Sequence, residues 1–312
     1  MKPSIVRGIA LAGSTAAILV AGACSRSGET VPPVADADQG QTDTAEPRAG
    51  VSAESFAAIL TMPHRSEDNR ARDAQRHPAE TLAFFGVQPD HTVVELWPGG
   101  GWYTEILAPY VKDQGQLIVT TFDPNGPEEY YGTRQARSMI ELFQTQTEVF
   151  GTPKTVTIPA NVEIVDGKVN NVVVEPFELA PEGSVDVVLT FRNSHGWYRN
   201  DAQELIYGAA FRALAPGGVF GVVQHRAPEG ADPKEWAAKG YLPESTVIDA
   251  AKAVGFELAE TSEVNANAAD TKDHPDGVWS LPPSLAGKDE DKDKYRAMGE
   301  SDRMTLKFVK PS

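Results

Sequence analysis

The segment from Thr92 to Val111 constrains the fold of this chain more than any other, because it passes directly from strand to loop to helix. Thr92–Leu96 is a short, valine-rich run, the loop Trp97–Trp102 contains three successive glycines, and Tyr103–Val111 has the apolar spacing of a helix. A strand that ends in glycines immediately before a helix is typical of open, parallel α/β sheets. The chain is therefore predicted to be an α/β protein.

The remainder of the chain repeats this alternation, which predicts a single domain over residues 52–312 with a largely parallel sheet. The predicted strands are Thr92–Leu96, Gln116–Thr121, Val162–Val165, Val185–Phe191, Val219–Gln224, Glu257–Thr261 and Met304–Val309. The predicted helices are Ser55–Leu60, Asn69–Phe85 with a hinge at His77-Pro78, Tyr103–Val111, Ser138–Gln144, Asp201–Leu214 and Glu244–Val254. Val169–Val174 is predicted to form an extra strand after an Asp166-Gly167 turn, and Asn265–Ser301 is an excursion between the last two strands.

The glycine loop predicts a ligand that is anionic or strongly polar. Gly99, Gly100 and Gly101 let the backbone approach a ligand closely, and the helix that follows offers unpaired N–H groups. A dinucleotide-binding loop would have another glycine at the position that Thr104 occupies in this chain. S-adenosylmethionine fits the loop better, because its carboxylate suits the N–H groups and its ammonium suits an acid such as Glu95.

A second acidic residue stands where the same ligand would present its ribose. Asp123 follows the second predicted strand, 22 residues after Gly101, and a carboxylate there can accept hydrogen bonds from both ribose hydroxyls. The predicted cofactor site consists of Glu95, Pro98, Gly99, Gly100, Gly101, Trp102, Asp123 and Arg192.

These motifs resemble class I S-adenosylmethionine-dependent methyltransferases, and among them an exported family of predicted methyltransferases with a Trp-Pro-Gly-Gly-Gly-Trp-Tyr loop. The resemblance covers nearly all of residues 52–311. Its pieces are Arg76-His77-Pro78, Glu95–Tyr103, Asp186–Trp197, Leu214–Gly218 and Ser301–Met304. It implies a Rossmann-like sheet of seven mostly parallel strands, the last one antiparallel, with an N-terminal helical cap. The family loop usually begins with glycine where this chain has Trp97, so the pocket floor is expected to differ.

Polar residues concentrate after the fourth and fifth predicted strands of the sheet, where ligands of open α/β sheets bind. Phe191–Tyr198 follows the fourth of these strands, and His225 follows the fifth. We expect His195 to act as a base, with His225 as the second candidate. Arg192 could hold an anion, and Asn193 or Tyr198 could orient a polar group. A loop that is locked by its own hydrogen bonds is the alternative interpretation.

One further group of residues bears on the pocket. His64, Arg65, Arg76 and His77 belong to the N-terminal helices, which in related enzymes can cover the pocket as a lid. The histidines lack the spacing of a metal site, so no metal is expected.

The N-terminal residues are predicted to lie outside the fold. A positively charged start precedes the apolar run Ile9–Val20, which is too short to span a bilayer. Small residues then lead to Cys24, the single cysteine, so residues 1–23 resemble a lipoprotein signal peptide and Cys24 the lipidated residue. Residues 24–51 are predicted to be a disordered tether. We expect a periplasmic, lipid-anchored protein, with Ser25 favouring the inner face of the outer membrane.

The formal net charge of −16 argues against a nucleic-acid partner, because phosphate backbones require clustered Lys and Arg. The expected partner is a small molecule or an envelope component, and the oligomeric state stays open. Two alternatives to the enzyme also stay open, partly because S-adenosylmethionine is made in the cytoplasm. One is a periplasmic ligand-binding or assembly module that keeps the fold without catalysis. The other is a Rossmann-like oxidoreductase, which Thr104 disfavours.

Overall fold

The computed structural model describes residues 51–312. The predicted signal peptide, the lipidation at Cys24 and the predicted tether as far as residue 50 lie outside the described residues. Within the part that is described, no helix is both long enough and apolar enough to cross a bilayer.

A seven-stranded sheet forms the centre of the described part, and a two-stranded hairpin stands apart from it. The strands are β1 (Thr92–Leu96), β2 (Gln116–Thr121), β3 (Lys154–Thr157), β4 (Ala160–Val165), β5 (Lys168–Val174), β6 (Val185–Phe191), β7 (Leu214–His225), β8 (Glu257–Ser262) and β9 (Arg303–Val309). The sheet has the order β3-β2-β1-β6-β7-β9-β8. All pairs are parallel except those of β9, which runs antiparallel to both β7 and β8. The predicted Rossmann-like fold of the class I methyltransferases, with its last strand antiparallel, is confirmed.

Helices flank the sheet and connect its strands. They are α1 (Ala57–Leu60), α2 (Glu67–Ala71), α3 (Asp73–Arg76), α4 (Pro78–Phe85), α5 (Thr104–Val111), α6 (Tyr131–Thr145), α7 (Thr147–Phe150), α8 (Ser194–Arg199), α9 (Gln203–Ala213), α10 (Pro233–Ala238), α11 (Glu244–Ala253) and α12 (Lys292–Met298). Short 3₁₀ helices span Ala53–Phe56, Gly277–Ser280 and Asp289–Asp291.

Two hydrophobic clusters cover the two faces of the sheet. Successive side chains of a strand point to opposite faces, and accordingly Val93 and Val94 of β1 belong to different clusters. The cluster around Val93 contains residues of α4 and α5, and the cluster around Val94 contains residues of α9 and α11. Because helices bury both faces, the ends of the parallel strands are left as the place where a ligand can bind.

The predicted third strand of the sheet is wrong. Val162–Val165 lies in β4, which pairs with β5 in the separate hairpin, while the sheet strand in that place is β3. β3 lies at the sheet edge with side chains that are exposed or half-buried, so it has no apolar run that would predict it. The hairpin turn at Asp166-Gly167 is confirmed, with φ values of 50° and 71° that tight hairpin turns require.

The predicted N-terminal cap is present as short helices rather than two longer ones. The region Asn69–Phe85 contains parts or all of α2, α3 and α4, and His77 between the last two has a φ of 41°. The hinge at His77-Pro78 is therefore confirmed, since a proline pushes the residue before it out of helical geometry.

Candidate active site

The glycine loop turns sharply between β1 and α5 and exposes part of its backbone. Gly99 and Gly101 have φ values of 60° and 82°, in the left-handed region that favours glycine. A Cβ atom added at Gly100 would meet no atom within 4 Å, whereas one at Gly101 would lie 3.0 Å from Met139 Cε of α6. Gly100 therefore faces open space, and Gly101 packs against a helix.

Trp97 occupies a backbone conformation that favours glycine, with a φ of 53°. Its ring packs against Phe122 at the end of β2, with ring centroids 3.9 Å apart, and its backbone N–H donates to Thr120 Oγ1 at 2.8 Å. A left-handed conformation costs a residue with a side chain roughly 1–2 kcal/mol. The ring contact and the hydrogen bond offset that cost.

Two cavities lie at the carboxyl ends of the central strands and share a wall. The loop cavity, about 460 Å³, lies between the glycine loop, α3 and the excursion that precedes β9. The hairpin cavity, about 490 Å³, lies between α8 and the β4–β5 hairpin. The residues that line both cavities are Trp97, Arg192, Asn193, His195 and Trp279. Each volume lies within the range of small-molecule sites, about 300–1,000 Å³.

The space between the glycine loop and the end of β2 is nearly closed. Its volume is about 10 Å³, room for roughly one water molecule, and Trp97 and Gln135 of α6 help to line it. Asp123 lies beyond this space as an exposed residue, and its carboxylate accepts a hydrogen bond from Asn125 N–H at 2.8 Å. A ribose could reach Asp123 from the loop cavity only if Trp97 or α6 moved.

Glu95 is buried beneath the glycine loop with an exposed fraction of 1%. Its carboxyl accepts a hydrogen bond from Thr104 Oγ1 at 2.6 Å, and burial raises the pKa of Glu95 to about 8. Glu95 therefore holds the first turn of α5 and lines neither cavity. The predicted contact between Glu95 and the ammonium group of a cofactor stays a prediction.

Asn193 connects the loop after β6 to the glycine loop. Its amide nitrogen donates to the carbonyl oxygens of Leu96 at 3.0 Å and Trp97 at 3.2 Å, and to Thr190 Oγ1 at 3.2 Å. The amide group is thus engaged in holding the two loops together. The predicted role of Asn193 in orienting a polar group of a ligand stays a prediction.

His195 and His225 lie side by side in the wall of the loop cavity, with ring centroids 5.8 Å apart. Burial lowers the pKa of His195 to about 4, and burial, His195 and nearby arginines lower the pKa of His225 well below its usual value. Both rings are therefore neutral at neutral pH. Gln224 Nε2 lies 3.4 Å from His195 Nδ1, and since an amide nitrogen only donates, this contact places the proton of the neutral ring on Nε2.

Four arginines surround one carboxylate beside the histidines, and we call them the arginine cluster. Glu300 pairs with Arg72 Nε at 2.8 Å, Arg76 Nε at 2.9 Å and Arg303 Nη1 at 2.9 Å. Burial opposes ionisation of Glu300, but the arginines outweigh it and lower the pKa of Glu300 to about 2. The fourth member, Arg192, forms no side-chain hydrogen bond or ion pair within residues 51–312.

The structure brings most of the predicted site residues together. The loop cavity is lined by Pro98, Gly99, Gly100, Trp102, Arg192, Asn193, His195 and His225, whereas Glu95, Gly101 and Asp123 do not line it. Of the four candidate lid residues, only Arg76 lines this cavity. The sequence prediction missed Arg72, Trp279, Glu300 and Arg303. Arg303 could have been found from the antiparallel direction of the last strand. Arg303 is the first residue of β9, and this direction places it opposite His225 at the end of β7.

Among residues 51–312, no group of three or more His, Cys, Asp or Glu side chains is arranged to hold a metal ion. No family model and no curated protein matches the chain.

Solved structures of similar fold include several methyltransferases. One is a SAM-dependent methyltransferase from Aquifex aeolicus, with 14% identity over 67% of this chain and 92% of that chain and a TM-score of 0.42. Another is geranyl diphosphate methyltransferase in complex with SAM, with 15% identity over 81% of this chain and 94% of that chain and a TM-score of 0.46. A putative methyltransferase from Bacillus halodurans C-125 has 15% identity over 76% of this chain and 100% of that chain, with a TM-score of 0.44. The strand order, rather than these distant similarities, identifies the fold.

Proposed function

We propose that this protein is an S-adenosylmethionine-dependent methyltransferase that transfers a methyl group directly to a small molecule or a component of the cell envelope. The observation that carries the proposal is the position of the glycine loop. It lies at the point where the strand order reverses, between β1 and β6, and it opens on the loop cavity. Ligands of open α/β sheets bind at this point.

The residues at the loop suit the methionine half of this cofactor. Gly100 carries no side chain where one would enter open space, and the N-terminal end of α5 follows directly. Backbone N–H groups of such a loop bind carboxylates well. The adenosine half would extend toward Asp123, and the nearly closed space at Trp97 must open to admit it. When bound, the cofactor supplies an electrophilic methyl group.

The residues around the loop cavity can bind and orient an acceptor. Trp102 and Trp279 provide aromatic walls, and excluding water from the cavity strengthens every electrostatic contact within it. His195 and His225 are neutral, so either ring can exchange a proton with an acceptor. For His195 to accept a proton on Nε2, the ring must first release the Nε2 proton or change tautomer.

A second candidate function is a ligand-binding or assembly module without catalysis. The near closure of the space between Trp97 and Gln135 favours it, because this space is where the proposed cofactor must pass to reach Asp123. A module of this kind would still use the loop cavity or the hairpin cavity.

Calorimetric titration of the full-length protein with S-adenosylmethionine and with S-adenosylhomocysteine tests the proposal. The variant Gly100→Asp places a carboxylate in open space next to the loop, so the protein is expected to fold. It should lose binding of both ligands, because the new carboxylate repels the carboxylate that each ligand presents to the loop. Gly100→Ala is the matched control and should retain binding. If the unmodified protein binds neither ligand, the methyltransferase proposal fails and the module remains.

We also propose that Cys24 carries a lipid that anchors the protein to a membrane on the periplasmic side. The support is the sequence that leads to this single cysteine. Growth with labelled palmitate should label the protein, and Cys24→Ser should abolish the label and release the protein from the membrane fraction. A membrane-bound, labelled Cys24→Ser protein would contradict the anchor.

A further inference from the structure

We propose that the loop cavity selects an acceptor that carries a carboxylate or a phosphate group, and that the arginine cluster binds this group. The inference rests on the proposed function, since it names the class of molecule that receives the methyl group. It goes beyond that function because neither the fold nor the glycine loop specifies the charge of the acceptor.

The first reason is an imbalance of charge. Three of the four arginines pair with Glu300 alone, and Arg192 pairs with no carboxylate in the described part of the chain. Three positive charges therefore remain in excess at this site, in a chain whose formal net charge is −16. Buried charges are costly unless they are paired. A bound anion would supply the missing negative charge.

The second reason is a set of unused hydrogen-bond donors. Arg76 is 1% exposed and lines the loop cavity, and its Nη1 and Nη2 atoms have no hydrogen-bond partner among residues 51–312. Arg303 Nε is also buried and has no hydrogen-bond partner within the part of the chain that the structure describes. Trp102 contributes a ring face to Arg76, with the guanidinium carbon 4.6 Å from the ring centroid, but no acceptor atom. The planar fork of a guanidinium matches the paired oxygens of a carboxylate or phosphate.

The third reason is that the acceptor, rather than S-adenosylmethionine, is the ligand that would supply the anionic group. S-adenosylmethionine carries a sulfonium, and its own carboxylate is balanced by its ammonium, so it is a cation overall. Three of the four arginines line the same cavity as Gly99 and Gly100, so the cluster would repel that cation. An anionic acceptor would remove the repulsion. Acceptor and cofactor should therefore bind cooperatively.

The anionic group of the acceptor would lie close to two side chains that can accept a proton. Arg192 lines the loop cavity together with His195 and His225, at the ends of β6 and β7. An acceptor held there by its anionic group lies next to two neutral imidazoles. Its reactive atom can then give up a proton to one of these imidazoles as it forms a bond to the methyl carbon, while the bond from that carbon to the sulfonium sulfur breaks and S-adenosylhomocysteine leaves.

Inorganic phosphate is the probe for the test, titrated calorimetrically into the full-length protein with and without S-adenosylmethionine. We expect phosphate to bind, and to strengthen the binding of S-adenosylmethionine. Arg192→Gln should weaken phosphate binding about tenfold or more, the loss of one charge-assisted contact. Arg212→Gln, an exposed position on α9, makes the same change of charge and should leave phosphate binding unaltered.

A variant with the opposite effect separates binding from folding. Glu300→Gln removes the carboxylate that pairs with three arginines of the cluster, and it should tighten phosphate binding if the protein folds. Should thermal unfolding show that Glu300→Gln does not fold, Arg72→Gln is measured as a second variant with the same expected direction as Arg192→Gln. Arg72 is 23% exposed at its side chain, and its loss should weaken phosphate binding.

The outcomes distinguish this inference from the proposed function. No phosphate binding, or equal weakening by Arg192→Gln and Arg212→Gln, overturns the anion site. If Arg192→Gln weakens S-adenosylmethionine but not phosphate, the arginines bind the cofactor carboxylate and the assignment to the acceptor is wrong. Phosphate binding without any binding of S-adenosylmethionine overturns the methyltransferase and with it the acceptor, leaving an anion-binding module.

Discussion

The side-chain amide of Asn193 donates a hydrogen bond to the carbonyl oxygen of Trp97, across a distance of 3.2 Å. This bond joins the loop after β6 to the first residue of the glycine loop. A second bond from the same nitrogen to Leu96 O, at 3.0 Å, reinforces it. The two loops that border the loop cavity are therefore fixed to each other, and a substitution at Asn193 should also disturb the glycine loop.

Asn193→Asp tests this connection. The substitution replaces a donor by a carboxylate that faces two carbonyl oxygens, which leaves those acceptors unpaired and adds repulsion. We expect a loss of roughly 1–3 kcal/mol in the free energy of unfolding, measured by urea denaturation, together with weaker binding of S-adenosylmethionine. Asn200→Asp, at the exposed end of α8, is the control. Equal stability of the two variants would show that Asn193 does not hold the loops.

Trp97→Gly tests the strained position at the start of the glycine loop. Truncating a large aromatic residue costs about 3–5 kcal/mol, while glycine relieves roughly 1–2 kcal/mol of backbone strain. We expect a net loss of roughly 1–4 kcal/mol in the free energy of unfolding. Removing the ring should also open the nearly closed space and tighten the binding of S-adenosylmethionine, measured by calorimetry.

Trp97→Ala is the matched control, because it removes the ring and keeps a Cβ atom at a φ of 53°. Trp97→Gly should be the more stable of the two by about 1 kcal/mol. If both variants bind S-adenosylmethionine no better than the unmodified protein does, the ring is not what closes the path to Asp123.

The sequence was sufficient to predict the sheet where strands are buried on both faces. β1, β6 and β7 each contain a valine-rich, mostly apolar run that is easily recognised. It failed at β3, where an edge position requires no such run. The predicted strand Val162–Val165 has the right propensity, but the pattern of one strand does not specify its pairing partner, which here is β5.

The candidate site was predictable where the chain itself passes the strand ends, as at Gly100, Arg192 and His195. It was not predictable where distant segments meet. Glu300 pairs with Arg76 across 224 positions of sequence, and no local pattern indicates such a contact. The burial of Glu95 against Thr104 was also missed, because an acid at a strand end suits a ligand and a helix equally well.

Glu95→Gln tests the burial of that acid. The ordinary pKa of a glutamate is 4.5, whereas the pKa of Glu95 in the folded protein is about 8. Between these two pH values the folded state therefore binds more protons than the unfolded state. Stability should therefore fall as pH rises from about 5 to 8, by up to about 1.4 kcal/mol per pH unit. Glu95→Gln cannot ionise and should flatten this dependence in urea denaturation at pH 5.5, 7 and 8.

The control for that experiment is Glu128→Gln, which changes an exposed acid with 65% of its side chain accessible. Its pH dependence should match that of the unmodified protein. A stability profile for Glu95→Gln that also matches the unmodified protein would show that Glu95 is ionised in the fold.

His195 offers a test of the neutral imidazoles in the cavity wall. Burial is the main cause that lowers the pKa of His195 to about 4, and Arg199 and Arg192 lower it further, while the contact with Gln224 raises it. The unfolded state therefore binds more protons than the folded state between about pH 4 and 6.5, and stability should fall as pH falls through this window. The ring should show no NMR titration between pH 5.5 and 8.

His195→Gln identifies the resonance and removes the ionisable ring. The variant should lose less stability than the unmodified protein between pH 7 and pH 5, because no imidazole has to stay unprotonated in the fold. An inflection near pH 6.5 for the His195 ring would mean that the ring is accessible to water and that its proton exchange is not governed by burial. In that case His195 would be charged for part of the time at neutral pH, and His225 would be the better candidate for a neutral base.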